Sequence, residues 1–484
     1  MLTDQENYRF DVFGYMIIPN VLTDEEVDAY RKELSTDQSL SEEVNDSLVH
    51  LRDHPVLAGY LEDLIVEEHQ LIRGPWLLGK GENDSDLIGG NEPRSPSRSY
   101  FKQNDVRFCQ GVLAIWALSD VKPEDGGLGF VPASHKSYVE TPGDLVNGTD
   151  DMGLVRSPEL KAGDLLLCAE TVLHRLEPSD ACLVAFGFAS DKARRIPPEN
   201  DLEDWMTELT PIQQAVIAPL GDVDKTPVIL SDGTTCDLLS ESDVYHPSIY
   251  VRDKECPIDE KELYHWDLCG HLVLHKVMDD DWLAAANEAV DACADQIHVG
   301  GSAAKGSPVL AGTGVPSLSN LFELPKPHCD PFRKMIAHPA VIQRLNWMMG
   351  SGFRCRSWRA ICSPKGTSGH GLHSFADPAR PVNTYVLQNG RTYCDSINVA
   401  WQLRDVCEAD GGFVCIPGSH KARYPSWPEL ITCEDEMDMV THVGCKAGDV
   451  VMFMGAAQSH GAYPWKSDIE RRNVLLGYSS RNIQ

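Results

Sequence analysis

Three side chains in the C-terminal part of the chain have the chemistry needed to hold a redox metal together with a small acid: His373, His460 and Arg471. Imidazole nitrogens suit iron(II), and a guanidinium presents a planar fork that matches a carboxylate. The two histidines lie too far apart in sequence to share one element. They meet only if a sheet folds back on itself, as it does at the mouth of a β-barrel. That geometry would let the imidazoles hold a metal while the arginine holds an acidic cosubstrate.

The elements that must position them can be read between Leu372 and Arg472. His373 sits in Gly-Leu-His-Ser-Phe-Ala-Asp. A β-rich segment follows and ends in Trp401-Gln402-Leu403-Arg404-Asp405. A turn runs from Gly411-Gly412 to Pro417-Gly418-Ser419-His420-Lys421. After it come Lys446-Ala447-Gly448-Asp449, then His460-Gly461, and last Arg471-Arg472 leading into an apolar strand. If that strand alternates, Arg472 faces away from Arg471.

At these residues the sequence resembles the phytanoyl-CoA dioxygenase family of Fe(II)/2-oxoglutarate oxygenases. The Trp-x-Leu-x-Asp strand, the Gly-Gly…Pro-Gly-Ser-His-Lys turn, the Ala-Gly-Asp strand and His-Gly…Pro-Trp…Arg-Arg occur in order with family-like spacing. The resemblance implies iron at His373 and His460, 2-oxoglutarate on Arg471, and Trp401 lining the cosubstrate pocket. One departure stands out. The family's first two ligands are His-x-Asp, and here the residue two after His373 is Phe375. Asp377 is the expected third ligand, with His370 as an equal candidate and Asp395, on Trp401's side of its strand, as another. An empty third position would place a halide on the iron, as in some members of the oxygenase superfamily.

Much of this text is written twice. Tyr385 to Lys421 matches Tyr100 to Lys136 without a gap at a constant shift (421 − 136 = 285), and Lys161-Ala162-Gly163-Asp164 keeps that shift with 446–449. Gly270 to Asp280 also resembles Gly14 to Asp24, and His338-Pro339 repeats His54-Pro55. The sequence therefore predicts a tandem duplication, each copy long enough for its own core. The expected division is residues 1–240, a linker at 241–256, and residues 257–484. Helices are expected over 201–219 and from His54 to about Glu68, and a loop over 79–99. Short β runs at Val112–Leu118, Leu128–Val131, Asp164–Cys168 and Leu183–Phe188, with Gly/Pro turns between them, predict a mainly β fold with supporting helices. The resemblance makes this two double-stranded β-helix (jelly-roll, cupin-like) domains.

Comparing the copies separates fold from chemistry. His135 and His420 both occur in the Pro-x-Ser-His-Lys turn, which points to a structural role. Opposite His373 the first copy has Ile88, opposite Arg471 it has Ala181, and only His174 remains, opposite His460. The first copy is expected to lack metal and cosubstrate residues.

Bulk properties narrow the rest. A net charge of −31 repels phosphate backbones and argues against nucleic acid as partner. An anionic substrate would need a local basic patch, for which Arg354, Arg356 and Arg359 are candidates. Fifteen cysteines without a Cys-x-x-Cys pair predict reduced thiols rather than a disulfide framework. No stretch has the length of a membrane span and the first residues show no secretory signal, so a soluble, cytoplasmic or other intracellular location is expected. The oligomeric state is open. The expected activity is hydroxylation of a small organic substrate by iron and 2-oxoglutarate in the second copy. The alternatives are a halogenase on the same metal and cosubstrate, or an inactive binding or structural double barrel.

Overall fold

The computed structural model describes residues 2–36, 48–190 and 258–480, apart from short stretches at 66–67, 79–85, 91–99, 104–105, 124–127, 177–180, 350–352 and 389–390, together with two short strands at 228–229 and 235–236. The expected helix at 201–219, the linker and most of the expected loop at 79–99 lie outside the described residues. The molecule is mainly β with several helices.

The chain opens with helix α1 (Asp4–Phe13), started by a reciprocal Thr3–Glu6 capping box and ended by Gly14 in the left-handed conformation at φ 81°. Strand β1 (Tyr15–Ile18), α2 (Asp24–Thr36), α3 (Pro55–Leu64) and β2 (His69–Leu78) follow. Then come β3 (Gly111–Ala117), β4 (Leu128–Val131), β5 (Leu165–Ala169), β6 (Leu173–Leu176) and β7 (Leu183–Ser190). They form an antiparallel sheet of order β1-β5-β3-β7-β2, while β4 pairs with β6.

The second half repeats the opening. Helix α4 (Glu260–Cys269) starts on the Asp259 cap and ends at Gly270, φ 76°. Strand β8 (His271–Leu274), α5 (Asp280–Ala292), β9 (His298–Val299), β10 (Pro316–Leu318) and α6 (Pro339–Met349) lead to the main strands. These are β11 (Arg354–Ser363), β12 (His370–His373), β13 (Ser396–Gln402), β14 (Gly412–Cys415), β15 (Thr441–His442), β16 (Val450–Met454), β17 (His460–Tyr463) and β18 (Arg471–Ser479). The larger sheet has the order β8-β16-β13-β18-β11-β10-β9, and the smaller one β12-β17-β14-β15. Facing sheets of this kind are jelly-roll-like. The first five strands of the larger sheet occupy the same places as the five of the N-terminal sheet.

The halves meet through reciprocal buried bonds. Lys136 Nζ donates to Asp11 Oδ2 and to the Lys421 carbonyl, both at 2.9 Å. Lys421 Nζ donates to Asp267 Oδ2 at 2.8 Å and to the Lys136 carbonyl at 3.0 Å. Tyr100 and Tyr385 each donate a hydroxyl to the nearer aspartate. His135 and His420 each bond through Nε2 to the backbone carbonyl of Asp11 or Asp267, at 2.9 Å, so they serve the turn and not a metal. Apolar residues also cross over: Leu372, Val414 and Ile416 join the N-terminal core, while Val131, Ala133 and Leu173 join the C-terminal one. Among the described residues, no helix is long and apolar enough to cross a membrane.

Candidate active site

Between the two C-terminal sheets lies a cavity of about 420 Å³. The smaller sheet supplies the imidazoles. His373 on β12 pairs directly with His460 on β17, and their ring centroids are 4.2 Å apart. His370, at the other end of β12, has its ring 4.4 Å from that of His373. All three face the cavity.

Each of these rings is oriented from behind. The Nδ1–H of His460 donates to the Gln458 carbonyl at 2.8 Å. The Nδ1–H groups of His373 and His370 both donate to the Gly371 carbonyl, at 3.2 and 2.8 Å. A carbonyl accepts only from a protonated nitrogen, so each Nε2 keeps its lone pair, the tautomer a metal requires. Burial, followed by the neighbouring imidazoles, pulls His460 down to about 3 and His373 down to about 4. Both are therefore neutral at physiological pH.

The larger sheet supplies the polar wall. Arg471, Asn473 and Leu475 of β18 face inward with Asn398, Ala400 and Gln402 of β13 and with Arg359, Ile361 and Ser363 of β11. Arg471 lies against Gly412, whose φ of 87° suits glycine, and a Cβ there would come within 3.2 Å of Nε. The Arg471 Nε, Gln402 Oε1 and Asn473 Oδ1 are buried and have no hydrogen-bond partner. Burial pulls the Arg471 pKa down, and among the described residues no carboxylate pairs with it. Arg472 faces the other way, bonded to Asp291 at 2.6 Å and Glu470 at 2.5 Å. Phe413 and Phe453 pack on the His460 ring and keep its outer side dry.

Three sequence expectations need correction, at Asp377, Asp395 and Trp401. Asp377 does not line the cavity. Ser374 adopts a left-handed φ of 64° and turns the chain, Phe375 and Ala376 enter the N-terminal core, and Asn383 pins the loop through the Phe375 and Pro378 carbonyls. Asp395 is likewise outside, held by Ser480. Trp401 is fully buried but faces the helices, packed on Trp282 at 5.3 Å and His338 at 5.7 Å. The inward positions of β13 are the even ones. Asn398 and Gln402 were therefore missed, and so was Asn473 two residues after Arg471 on β18, although polar residues two or four apart in an apolar strand carried the signal.

The donor set fits iron in part. Two oriented, neutral imidazoles are present, and Arg471, with its Nε unpartnered, fits a carboxylate of the cosubstrate. Among the described residues, no acidic side chain lines the cavity. Among the described residues, no three His, Cys, Asp or Glu side chains are arranged to hold a metal ion.

The corresponding N-terminal positions are apolar. Ile88 pairs with His174 where His373 pairs with His460. Leu113 opposes Gly187 as Asn398 opposes Gly477, and Ala117 opposes Leu183 as Gln402 opposes Asn473. Leu113, Ala117 and Leu183 are buried in the core.

Comparison with known proteins agrees in part. No curated protein sequence matches the chain. Among solved structures, HygX from Streptomyces hygroscopicus, with nickel and 2-oxoglutarate bound, is 18% identical over 46% of this chain and 88% of its own, with a TM-score of 0.39. The carbocyclase SnoK and the epimerase SnoN of nogalamycin biosynthesis, both described as non-heme and alpha-ketoglutarate dependent, are each 18% identical. SnoK matches over 46% of this chain and 85% of its own at a TM-score of 0.35, and SnoN over 45% and 80% at 0.33. Scores this low leave the assignment to the sequence family. The model for Phytanoyl-CoA dioxygenase (PhyH) matches residues 336–473, a span that holds His373, His460 and Arg471. Within that segment the chain matches the phytanoyl-CoA dioxygenase family, whose model covers residues 336–473 and no more of the chain.

Proposed function

We propose that the C-terminal cavity is the active site of an oxygenase that hydroxylates a small organic substrate, with iron(II) as metal and 2-oxoglutarate as cosubstrate. The observation that carries this reading is Arg471: a half-buried guanidinium whose Nε is enclosed and unpartnered, with no ion pair among the described residues, facing the same cavity as two imidazoles whose Nε2 lone pairs are free. A charge so placed is costly unless an anion joins it. His373 and His460 would hold the iron, and Arg471 the distal carboxylate of 2-oxoglutarate. The bound iron and cosubstrate supply the oxidising power for attack on a C–H bond. The protein's own part is to fix the imidazole tautomers from Gly371 and Gln458, to keep water off His460 with Phe413 and Phe453, and to offer Gln402 and Asn473 as hydrogen-bond partners. That HygX has a structure with hygromycin B bound is in keeping with a small-molecule substrate.

The N-terminal half is read as a second double-stranded β-helix that has lost metal and cosubstrate residues and serves as scaffold. The division is 1–240, a linker at 241–256, and 257–484. The matching sheet orders and the apolar residues opposite the polar cavity wall support it.

The test is direct. Fe(II) and 2-oxoglutarate added without oxygen should give the visible charge-transfer band of the chelate, and the band should vanish in His460→Ala and in Arg471→Ala. A wild type without the band would favour a binding or structural role. A band that survives His460→Ala would overturn the ligand assignment. The missing carboxylate beside His373 favours halogenation as second reading. Succinate formation with and without chloride, followed by mass analysis of the product, separates the two.

A further inference from the structure

The cavity wall has a charge pattern at odds with the chain that builds it. The protein carries 73 acidic and 42 basic side chains, yet among the described residues the charged side chains lining this cavity are two arginines, Arg471 and Arg359. Arg471 is committed to the cosubstrate in the reading above, on which the present inference rests. That leaves Arg359, an exposed side chain with no hydrogen bond or ion pair among the described residues. Its guanidinium is free to meet a ligand.

Its direction is built into the strand. Along β11 and β18 the pairing runs Arg354 with Ser479 and Cys355 with Tyr478, then slips, so that Ser357 pairs with Gly477 and Arg359 with Leu475. The extra residue is Arg356. A bulge of this kind inverts the side-chain alternation beyond it. Without it Arg359 would share the outer face with Arg472. With it Arg359 joins Ile361 and Ser363 on the wall that faces the imidazoles. Ser363 pairs with Arg471, so the two arginines stand four residues apart along the sheet, about 13 Å. One guanidinium is half-buried beside Gly412 and the other is at the solvent-facing end. A chain of net charge −31 repels anions in general, and a focused positive wall is what lets a chosen anion in.

We propose that Arg359 anchors an oxyanion of the substrate, a carboxylate or a phosphate or sulfate ester, at the outer end of the cavity. The fork geometry binds any of these in bidentate fashion. The remainder of the substrate then extends inward between Arg359 and the imidazoles, against Ile361, Ala400 and Phe453. In this arrangement the two anions are sorted by depth.

The test uses the full chain with Fe(II) and saturating 2-oxoglutarate, held without oxygen, and titrates hexanoate, hexyl phosphate and the neutral hexanamide by calorimetry. At least one anion should bind more tightly than hexanamide. Arg359→Gln should weaken that anion about tenfold or more and leave hexanamide unchanged. Arg356→Gln, which removes the neighbouring charge outside the cavity, should change nothing. The inference is overturned if neither anion binds better than the amide, if Arg359→Gln has no effect, or if Arg356→Gln causes the same loss. The chelate band recorded in the same samples reports on the oxygenase reading separately. A missing band with intact Arg359-dependent binding sinks that reading and supports the anchor, and a normal band with indifferent Arg359→Gln does the reverse.

Discussion

Arg471 illustrates how a single side chain can demand a partner. Its stem lies on Gly412, its Nε is enclosed, and burial works against its charge. Guanidinium stays protonated in spite of this, so the cost persists until an anion arrives. Substitution by lysine keeps the charge but loses the planar fork. Arg471→Lys is therefore expected to weaken 2-oxoglutarate by roughly 10- to 100-fold, the range that one or two charge-assisted hydrogen bonds span. Calorimetric titration of 2-oxoglutarate into the anaerobic Fe(II) protein checks this, and equal affinities in the two proteins would remove Arg471 from the cosubstrate site. Gln402 and Asn473 differ in kind. Their orphaned oxygens accept hydrogen bonds and repel carboxylates, so they suit a donor on the substrate or a water.

At the scale of elements, the turn before β14 decides where Arg471 can lie. Gly412→Ala would place a methyl against the guanidinium and force alanine into a left-handed φ, at a cost of about 1–2 kcal/mol. The variant should unfold at lower denaturant and bind 2-oxoglutarate more weakly, and unchanged binding beside a lowered midpoint would show that Arg471 can move aside. The strands also show what sequence could and could not tell. The motif text was enough to bring His373, His460 and Arg471 to one cavity, because cross-strand register is fixed wherever one face is buried. The facing of β13 was legible but is easily misread. Ser396, Asn398 and Gln402 alternate with the apolar Ile397, Val399 and Trp401, which marks the polar face as the cavity side, and a large aromatic at 401 drew the pocket to the wrong face. Asp377 was unreadable for a different reason. Its distance from His373 in sequence is short, but one left-handed serine and a phenylalanine seated in the N-terminal core carry it off.

At the scale of the whole molecule, the two halves act as each other's support. The bonds between Lys136 and the Lys421 carbonyl, and between Lys421 and the Lys136 carbonyl, form a reciprocal pair such as a symmetric dimer would have. The recurrence of Tyr, His and Lys was visible in the sequence. The aspartates that complete each set, Asp11 and Asp267, were not read with them, because they lie on helices α1 and α4, just ahead of the repeat that starts at Gly14 and Gly270 and far along the chain from the Tyr, His and Lys they join. Burial pushes the Asp11 carboxyl up, but Lys136 beside it and the N–H of Arg423 prevail and hold it below its ordinary value. A carboxyl held low in the fold adds stability above its unfolded pKa, near 4, and that stability is lost as pH falls through the folded value. The double variant Asp11→Asn/Lys136→Met should therefore lose stability less steeply than the wild type on acidification below about pH 4. Lys421→Met alone strands Asp267 as an uncompensated buried charge and should cost about 3–5 kcal/mol, whereas Asp267→Asn/Lys421→Met, which removes both charges, should cost clearly less. Denaturant unfolding of the full chain measures each. If Lys421→Met were as stable as the wild type, the reciprocal bonds would be incidental to how the halves hold together, and the support under β12, and with it His373, would have to come from the apolar crossing at Leu372, Val414 and Ile416.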